Sequence, residues 1–248
     1  MSDVTSEAAT DSGAGFMIGD VLGRSFSILG RNFVPFALLS AVASLPYLPY
    51  YLTMAPGKLV TPNPTAFALP LVLGFVLRMF VQAIILNAAF QDMRGRTVSV
   101  GESFRVGISR FLPIIGVIIL EGLGVGFGML LLIVPGIILM LMWYVALPAC
   151  VVERIGPIES LGRSAALTKG HRWKILGLIL LVGIVGGVIG AVFGAVAAIF
   201  GHIGLAIVQY LVQVVVTVYS AILVIVLYRD LRAAKEGIDT EQIAAVFD

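Results

Sequence analysis

The chain of 248 residues is 59% hydrophobic and only 12% charged, and its mean hydropathy is +1.06. Charged residues make up about a quarter of an ordinary soluble protein, so this composition excludes a soluble domain. A formal net charge of +2 does not indicate a nucleic-acid partner, and the single Cys150 excludes an internal disulfide and a cysteine-based zinc site.

Residues 1–15 are rich in Ser, Ala, Asp and Glu and contain no Lys or Arg. A secretory signal peptide has a basic segment before its apolar stretch. We therefore expect a disordered acidic leader here, and membrane insertion that relies on the first internal span.

Continuous apolar runs predict an all-α integral membrane protein with six transmembrane helices, because about 20 apolar residues cross a ~30 Å hydrocarbon core. Two runs are about twice as long as one span, and Pro135-Gly136 and Gly201-His202 predict a reversal inside each. The predicted membrane domain covers residues 16–228, before a tail at 229–248, with spans near 33–53, 67–90, 111–132, 135–152, 175–200 and 203–228.

The basic residues indicate how the chain is oriented. All but two of the 16 Lys and Arg residues precede span 1, join spans 2 and 3, join spans 4 and 5, or follow span 6. The exceptions are Lys58, between spans 1 and 2, and Arg78, inside span 2. The positive-inside rule then predicts a bacterial inner-membrane protein with both termini in the cytoplasm.

A short repeat precedes three of the spans. Leu22-Gly23-Arg24-Ser25 returns as Leu161-Gly162-Arg163-Ser164, and a looser copy occupies residues 100–105. Each copy is too short and too polar to span, so we expect it to lie in the cytoplasmic interface. The sequence thus predicts three units, each made of a cytoplasmic interfacial amphipathic helix and a transmembrane hairpin.

Opposite charges recur within these segments. Asp20 and Arg24, and likewise Glu159 and Arg163, are spaced for i,i+4 ion pairs, and Ser99 with Glu102 predicts a capping box. Two interpretations stay open: the segments orient the spans that follow them, or they form a docking or lipid-binding surface.

Two charged residues interrupt the apolar spans, Arg78 in span 2 and Glu121 in span 3. Both are predicted near the membrane midplane, where an unpaired charge is costly. They predict either a structural ion pair between the two spans or a site for an anionic headgroup or a coupling ion. Gln82 lies one turn from Arg78, and a polar stripe on span 6 belongs to the same candidate site: Gln209, Gln213, Thr217 and Ser220.

Span 5 carries Gly186, Gly190 and Gly194 at every fourth position. Such a face permits close helix packing. It predicts contact with another helix of this chain, a protein partner or a second copy.

The sequence gives little sign of catalysis. The two histidines, His171 and His202, are predicted on opposite sides of the membrane, and no HExxH, GxSxG or P-loop motif is present. We expect neither enzymatic activity nor a cofactor or metal.

The stretch from Pro148 to Gly170, followed by Arg172-Trp173-Lys174, resembles a bacterial family of six-span membrane proteins. That family includes the membrane domain that precedes the catalytic domain of some glycerophosphodiester phosphodiesterases. The resemblance implies a six-span fold but not the activity, because no catalytic domain follows residue 228. In addition, His171-Arg172 continues with Trp173, where the catalytic motif has glycine.

These observations predict a non-catalytic multi-pass inner-membrane protein, either a scaffold or accessory subunit or a protein that interacts with membrane lipid. The alternative is a small transporter or lipid-handling protein that uses the Arg78/Glu121 site.

Overall fold

The computed structural model describes residues 17–53, 64–95 and 100–236. These residues form helices and no strand. The predicted leader, Ser99 and the tail beyond Glu236 lie outside the described residues. In chain order the α-helices are α1 (Ile18–Ser44), α2 (Leu48–Thr53), α3 (Pro64–Met93), α4 (Val100–Ser109), α5 (Phe111–Leu131), α6 (Ile133–Trp143), α7 (Ala146–Val152), α8 (Pro157–Thr168), α9 (Arg172–Ala198) and α10 (Gly201–Glu236), with a 3-10 turn at Leu45–Tyr47.

Six helical stretches of the described chain are long and apolar enough to cross a membrane. The chain is therefore an all-α, multi-pass membrane protein, as its composition predicts. The stretches are Ile18–Leu52, Ala68–Met93, Phe111–Leu131, Ile133–Val152, Arg172–Ala198 and Gly201–Glu236.

The first amphipathic segment is a helical stretch of its own, set off from the first span by a kink. It runs into the first span as α1, which bends where Asn32 leaves helical geometry (φ −119°, ψ 17°). The Asn32 amide donates hydrogen bonds to the Ile28 carbonyl (3.3 Å) and to Asp92 Oδ1 (3.2 Å). Pro35 follows within one turn of the bend, where its missing N–H is tolerated. Short helices α4 and α8 do precede α5 and α9, and the division of the chain into three repeated units stays a prediction.

The hairpin between α5 and α6 reverses at Leu132 (φ −158°, ψ 141°) and not at Pro135-Gly136. Pro135 instead lies in the first turn of α6, a position that needs no amide donor. Gly136 serves packing: a Cβ there would lie 2.6 Å from the backbone nitrogen of Met129. Between α9 and α10, the chain reverses with Gly201 at φ 72°, a conformation that glycine adopts without strain.

The core surrounds the second half of α10, which packs against α1 and α3. Its fully buried side chains include Ile222, Ile225 and Tyr228. We call the end of the bundle where α1 begins and α10 ends the basic end, and the opposite end the far end. Helix α9 lies against α10 and buries the smallest share of its apolar window, 11%, so most of its surface faces outward.

Candidate functional site

The arginines of the repeat bind the last helix, not their neighbours four residues away. Arg24 Nη1 donates to Asp230 Oδ1 at 2.8 Å. Arg163 Nε donates to Glu153 Oε1 at 2.8 Å, and its Nη2 contacts Glu236. The predicted i,i+4 pairs with Asp20 and Glu159 therefore do not form. An exposed i,i+4 pair contributes only about 0.3–0.5 kcal/mol, so carboxylates brought in by the fold readily displace it.

Glu159 has a different role from the predicted one. Its Oε2 accepts a hydrogen bond from the Gly156 amide (3.1 Å) and thereby caps the start of α8. Beside it, the Tyr228 hydroxyl donates to Glu153 Oε1 (2.5 Å), which ties α10 to the segment before α8. Glu153 thus joins Arg163 to the core.

The serine of each repeat copy is fully buried: Ser25, Ser103 and Ser164. Ser164 Oγ donates to the Met142 carbonyl (2.9 Å) and accepts from the Val145 amide (3.2 Å), where α6 gives way to α7. Asn87 donates to Ser103 Oγ across 3.1 Å, and Ser25 bonds the carbonyl of Val21 in its own helix. Ser103 and Ser164 therefore fix their segments against neighbouring elements, whereas Ser25 is buried but bonds only its own helix.

Within the membrane-spanning part, Arg78 of α3 meets Gln213 of α10. With the Gln213 amide turned so that its oxygen faces the guanidinium, Oε1 accepts from Nη1 (2.6 Å) and Nη2 (3.2 Å) of Arg78. The Arg78 Nε is buried and has no hydrogen-bond partner among the described residues. The positive charge of Arg78 also interacts electrostatically with Tyr47 and Tyr51. Sequence reasoning missed these tyrosines because they lie outside spans 2 and 6, Tyr47 in the 3-10 turn after α1 and Tyr51 in α2.

The structure does not pair Arg78 with Glu121. Glu121 is half-buried on α5 and interacts electrostatically with Tyr144, where α6 leads into α7. The prediction of an ion pair between Arg78 and Glu121 requires spans 2 and 3 to lie side by side. Instead α3 packs mainly on α1 and α10, and α5 packs mainly on α6.

The other members of the predicted polar site lie apart from the guanidinium. Gln82 is half-buried and forms no hydrogen bond with Arg78, and Gln209 is exposed. Thr217 Oγ1 bonds the Gln213 carbonyl (2.9 Å), and Ser220 Oγ bonds the Thr217 carbonyl (3.1 Å), so both hydroxyls are satisfied within α10. The site therefore consists of Arg78, Gln213, Tyr47 and Tyr51.

Among the described residues, no carboxylate forms an ion pair with Arg78. Residues 33–91 and 175–229 contain no Asp or Glu, and residues 111–152 contain only Glu121. Because Gln213 is neutral, its hydrogen bonds satisfy donors without neutralising the charge. Arg78 therefore has a hydrogen-bond partner but no carboxylate partner among the described residues.

The glycine face of α9 makes no close contact in the described structure. A Cβ added at Gly186, Gly190 or Gly194 would meet no atom within 4 Å. Whatever these glycines pack against is not a described helix of the same chain.

A family model described as a domain of unknown function, DUF7847, matches residues 100–231, more than half of the chain. The match begins at α4 and ends within α10. Comparison with curated proteins and with solved structures gives no match. None of these findings links the chain to the membrane domain of glycerophosphodiester phosphodiesterases.

Proposed function

The chain belongs to the DUF7847 family, and we propose that it is a non-catalytic membrane protein that interacts with lipid through Arg78. The ligand is the phosphate of an anionic phospholipid. The observation that carries this proposal is the bond between Arg78 and a neutral amide, which leaves the cation without a carboxylate.

The guanidinium lies nearer the far end than the Arg78 backbone does. Helical side chains lean toward the N-terminus of their helix, and α3 begins at the far end. The Tyr47 ring, with which Arg78 interacts, packs at Gly74, one turn nearer that end. Gly74 is six residues after Ala68, where the apolar stretch begins, hence about 9 Å below it. The Arg78 side chain covers the ~6 Å from its own turn to this level by snorkelling, and local thinning of the bilayer brings a lipid phosphate down to meet it.

Electrostatics favour an anionic ligand over an empty site. An arginine at the centre of a spanning helix costs at least ~2.5 kcal/mol, and the cost falls toward the interface and with a partner. A phosphate accepts several charge-assisted hydrogen bonds from one guanidinium. The Tyr47 and Tyr51 hydroxyls add donors on the same side.

We place the basic end in the cytoplasm and the protein in a bacterial inner membrane, because nearly all Lys and Arg residues gather at that end. The Arg78 site then takes a lipid of the outer leaflet. A cysteine-accessibility assay on intact cells tests this orientation at Lys58, which should react with an impermeant reagent as K58C.

Added phosphatidylglycerol tests the proposed ligand through thermal stability in detergent, since a ligand of the folded state raises the melting temperature. Arg78→Met should show a smaller gain than wild type, while Gln82→Met, one turn away, should show the wild-type gain. Equal gains in all three proteins would refute a ligand at Arg78.

A second candidate function, a scaffold or accessory subunit, is favoured by α9. Its glycine face is unoccupied by described helices of the chain, and glycine faces support close packing of membrane helices. We propose that a protein partner or a second copy packs there. We do not favour the transporter alternative, because it required Arg78 and Glu121 to share one site.

A further inference from the structure

A cavity of about 480 Å³ opens at the basic end, between α4, the start of α5 and the loop before α8. This volume lies within the ~300–1,000 Å³ range of small-molecule sites. Its lining residues are Glu102, Arg105, Val106, Ser109, Arg110 and Arg154. Three arginines and one glutamate give the lining a formal charge of +2.

The three arginines of the cavity differ from the arginines of the repeat and from Arg31. Arg24, Arg31 and Arg163 each bind a carboxylate at 2.8 Å. Arg105, Arg110 and Arg154 form no ion pair within the described part of the chain. The acids that form ion pairs thus lie on other elements, and the three arginines leave the cavity with a net positive charge.

Arg154 reaches the cavity from an unusual backbone position. It is the one non-glycine residue with positive φ among those described (58°). This left-handed conformation is strained for a residue with a Cβ, and such strain gathers at binding and switch positions. Glycine would adopt this conformation without strain. The residue that is present instead has a side chain that lines the cavity.

Exposed apolar side chains flank the cavity on the same helical segment. Phe104, Ile108 and Leu112 are 47%, 58% and 79% exposed and follow one another at four-residue spacing. Arg105 and Ser109 come directly after the first two, so a polar strip runs beside the apolar one. A lipid presents the matching pair of surfaces, a phosphate joined to an acyl chain.

We propose that this cavity binds the headgroup of an anionic glycerophospholipid from the leaflet at the basic end. Arg105, Arg110 and Arg154 donate hydrogen bonds to the phosphate, and an acyl chain covers Phe104, Ile108 and Leu112. Guanidinium groups bind phosphate oxygens in a bidentate manner. The site is separate from that of Arg78, which lies on other helices and within the spanning part.

Native mass spectrometry of detergent-solubilised protein tests the proposal with phosphatidylglycerol as probe. Arg154→Gly should bind it about tenfold more weakly, the loss expected for one charge-assisted bond, while keeping or raising the lipid-free melting temperature because the strain is relieved. Arg105→Gln with Arg110→Gln should weaken binding further. Arg31→Gln, which removes the same charge from a paired arginine, should leave it unchanged.

Three results would overturn the proposal. The first is wild-type phosphatidylglycerol affinity in Arg154→Gly, a loop variant that tests the site even if the double variant does not fold. The second is equal affinity for phosphatidylcholine, which carries no net charge. The third is displacement of the lipid by millimolar inorganic phosphate, which would assign the cavity to a soluble anion. Arg78→Met keeps this site intact, so failure here and failure of the proposed function give different results.

Discussion

Arg24 in the first helix donates a 2.8 Å hydrogen bond to Asp230 in the last. The two residues are 206 positions apart, and the Asp230 side chain is only 8% exposed. Arg163, at the equivalent position of the second repeat copy, contacts Glu236 six residues further along the same helix. The repeat therefore supplies two arginines that hold the end of α10 against segments from opposite parts of the chain.

Removal of the Arg24 side chain should destabilise the protein. Arg24→Gln leaves the nearly buried Asp230 carboxylate with a weakened set of partners, which costs about 1–3 kcal/mol. The free energy of unfolding in a detergent denaturation series measures this loss. Asp20→Asn changes an exposed carboxylate that forms no ion pair with Arg24, and should alter the free energy by less than about 0.5 kcal/mol.

The pair itself is tested by restoration. Arg24→Gln combined with Asp230→Asn should be more stable than Arg24→Gln alone, because no buried charge is left uncompensated. Strictly additive losses would show that the two side chains are not coupled.

The buried serines should differ in importance. Ser164→Ala removes the acceptor of the buried Val145 amide and one of the two donors to the Met142 carbonyl, the other being Thr168 Oγ1. We therefore expect a loss of about 1–3 kcal/mol in the free energy of unfolding. Ser25→Ala removes only a bond to a carbonyl of its own helix and should cost less than about 1 kcal/mol. Comparable losses in the two variants would contradict the role assigned to Ser164.

The glycines that interrupt the spans should separate into two classes. Gly136→Ala places a methyl group 2.6 Å from the Met129 backbone nitrogen, so α5 and α6 must move apart at a cost of about 1–3 kcal/mol. Gly190→Ala meets nothing within 4 Å and should preserve or slightly raise stability. Thermal unfolding followed by circular dichroism distinguishes the two.

A larger side chain tests whether the α9 face has a partner. Gly190→Leu should lower the mass of the particle in native mass spectrometry if a second copy or another protein packs on this face. Ala195→Leu is the control, because it adds similar bulk at an exposed position about 140° around the helix from Gly190. A particle of unchanged mass in Gly190→Leu would remove the scaffold proposal.

Local signals in the sequence predict the six spans well. Each span depends on the length and hydropathy of one apolar run, and these two properties do not depend on how the helices pack. The reversal predicted at Pro135-Gly136 lies at Leu132 instead, because proline is compatible with the first turn of a helix as well as with a turn between helices. The kink at Asn32 has no such marker, but the amphipathic pattern of residues 18–29 already distinguishes this segment from the span that follows it.

Side-chain partners were harder to predict, because they depend on which helices become neighbours. Glu121 was assigned to Arg78 on the assumption that consecutive spans are adjacent, whereas α10 occupies that position and supplies Gln213. Arg24 and Arg163 were assigned to acids on their own helices, because the sequence does not show that the end of α10 returns to them. The cavity could not be predicted for the same reason, because its arginines lie in α4, directly before α5 and in the loop before α8.

The number of phospholipids retained per chain tests the central claim most directly. Native mass spectrometry of protein extracted in mild detergent should show one fewer bound phospholipid in Arg78→Met than in wild type, and the wild-type number in Gln82→Met. Arg78→Met combined with Arg154→Gly should lose a further one. An unchanged number in Arg78→Met, with wild-type stability, would contradict a lipid ligand at this arginine.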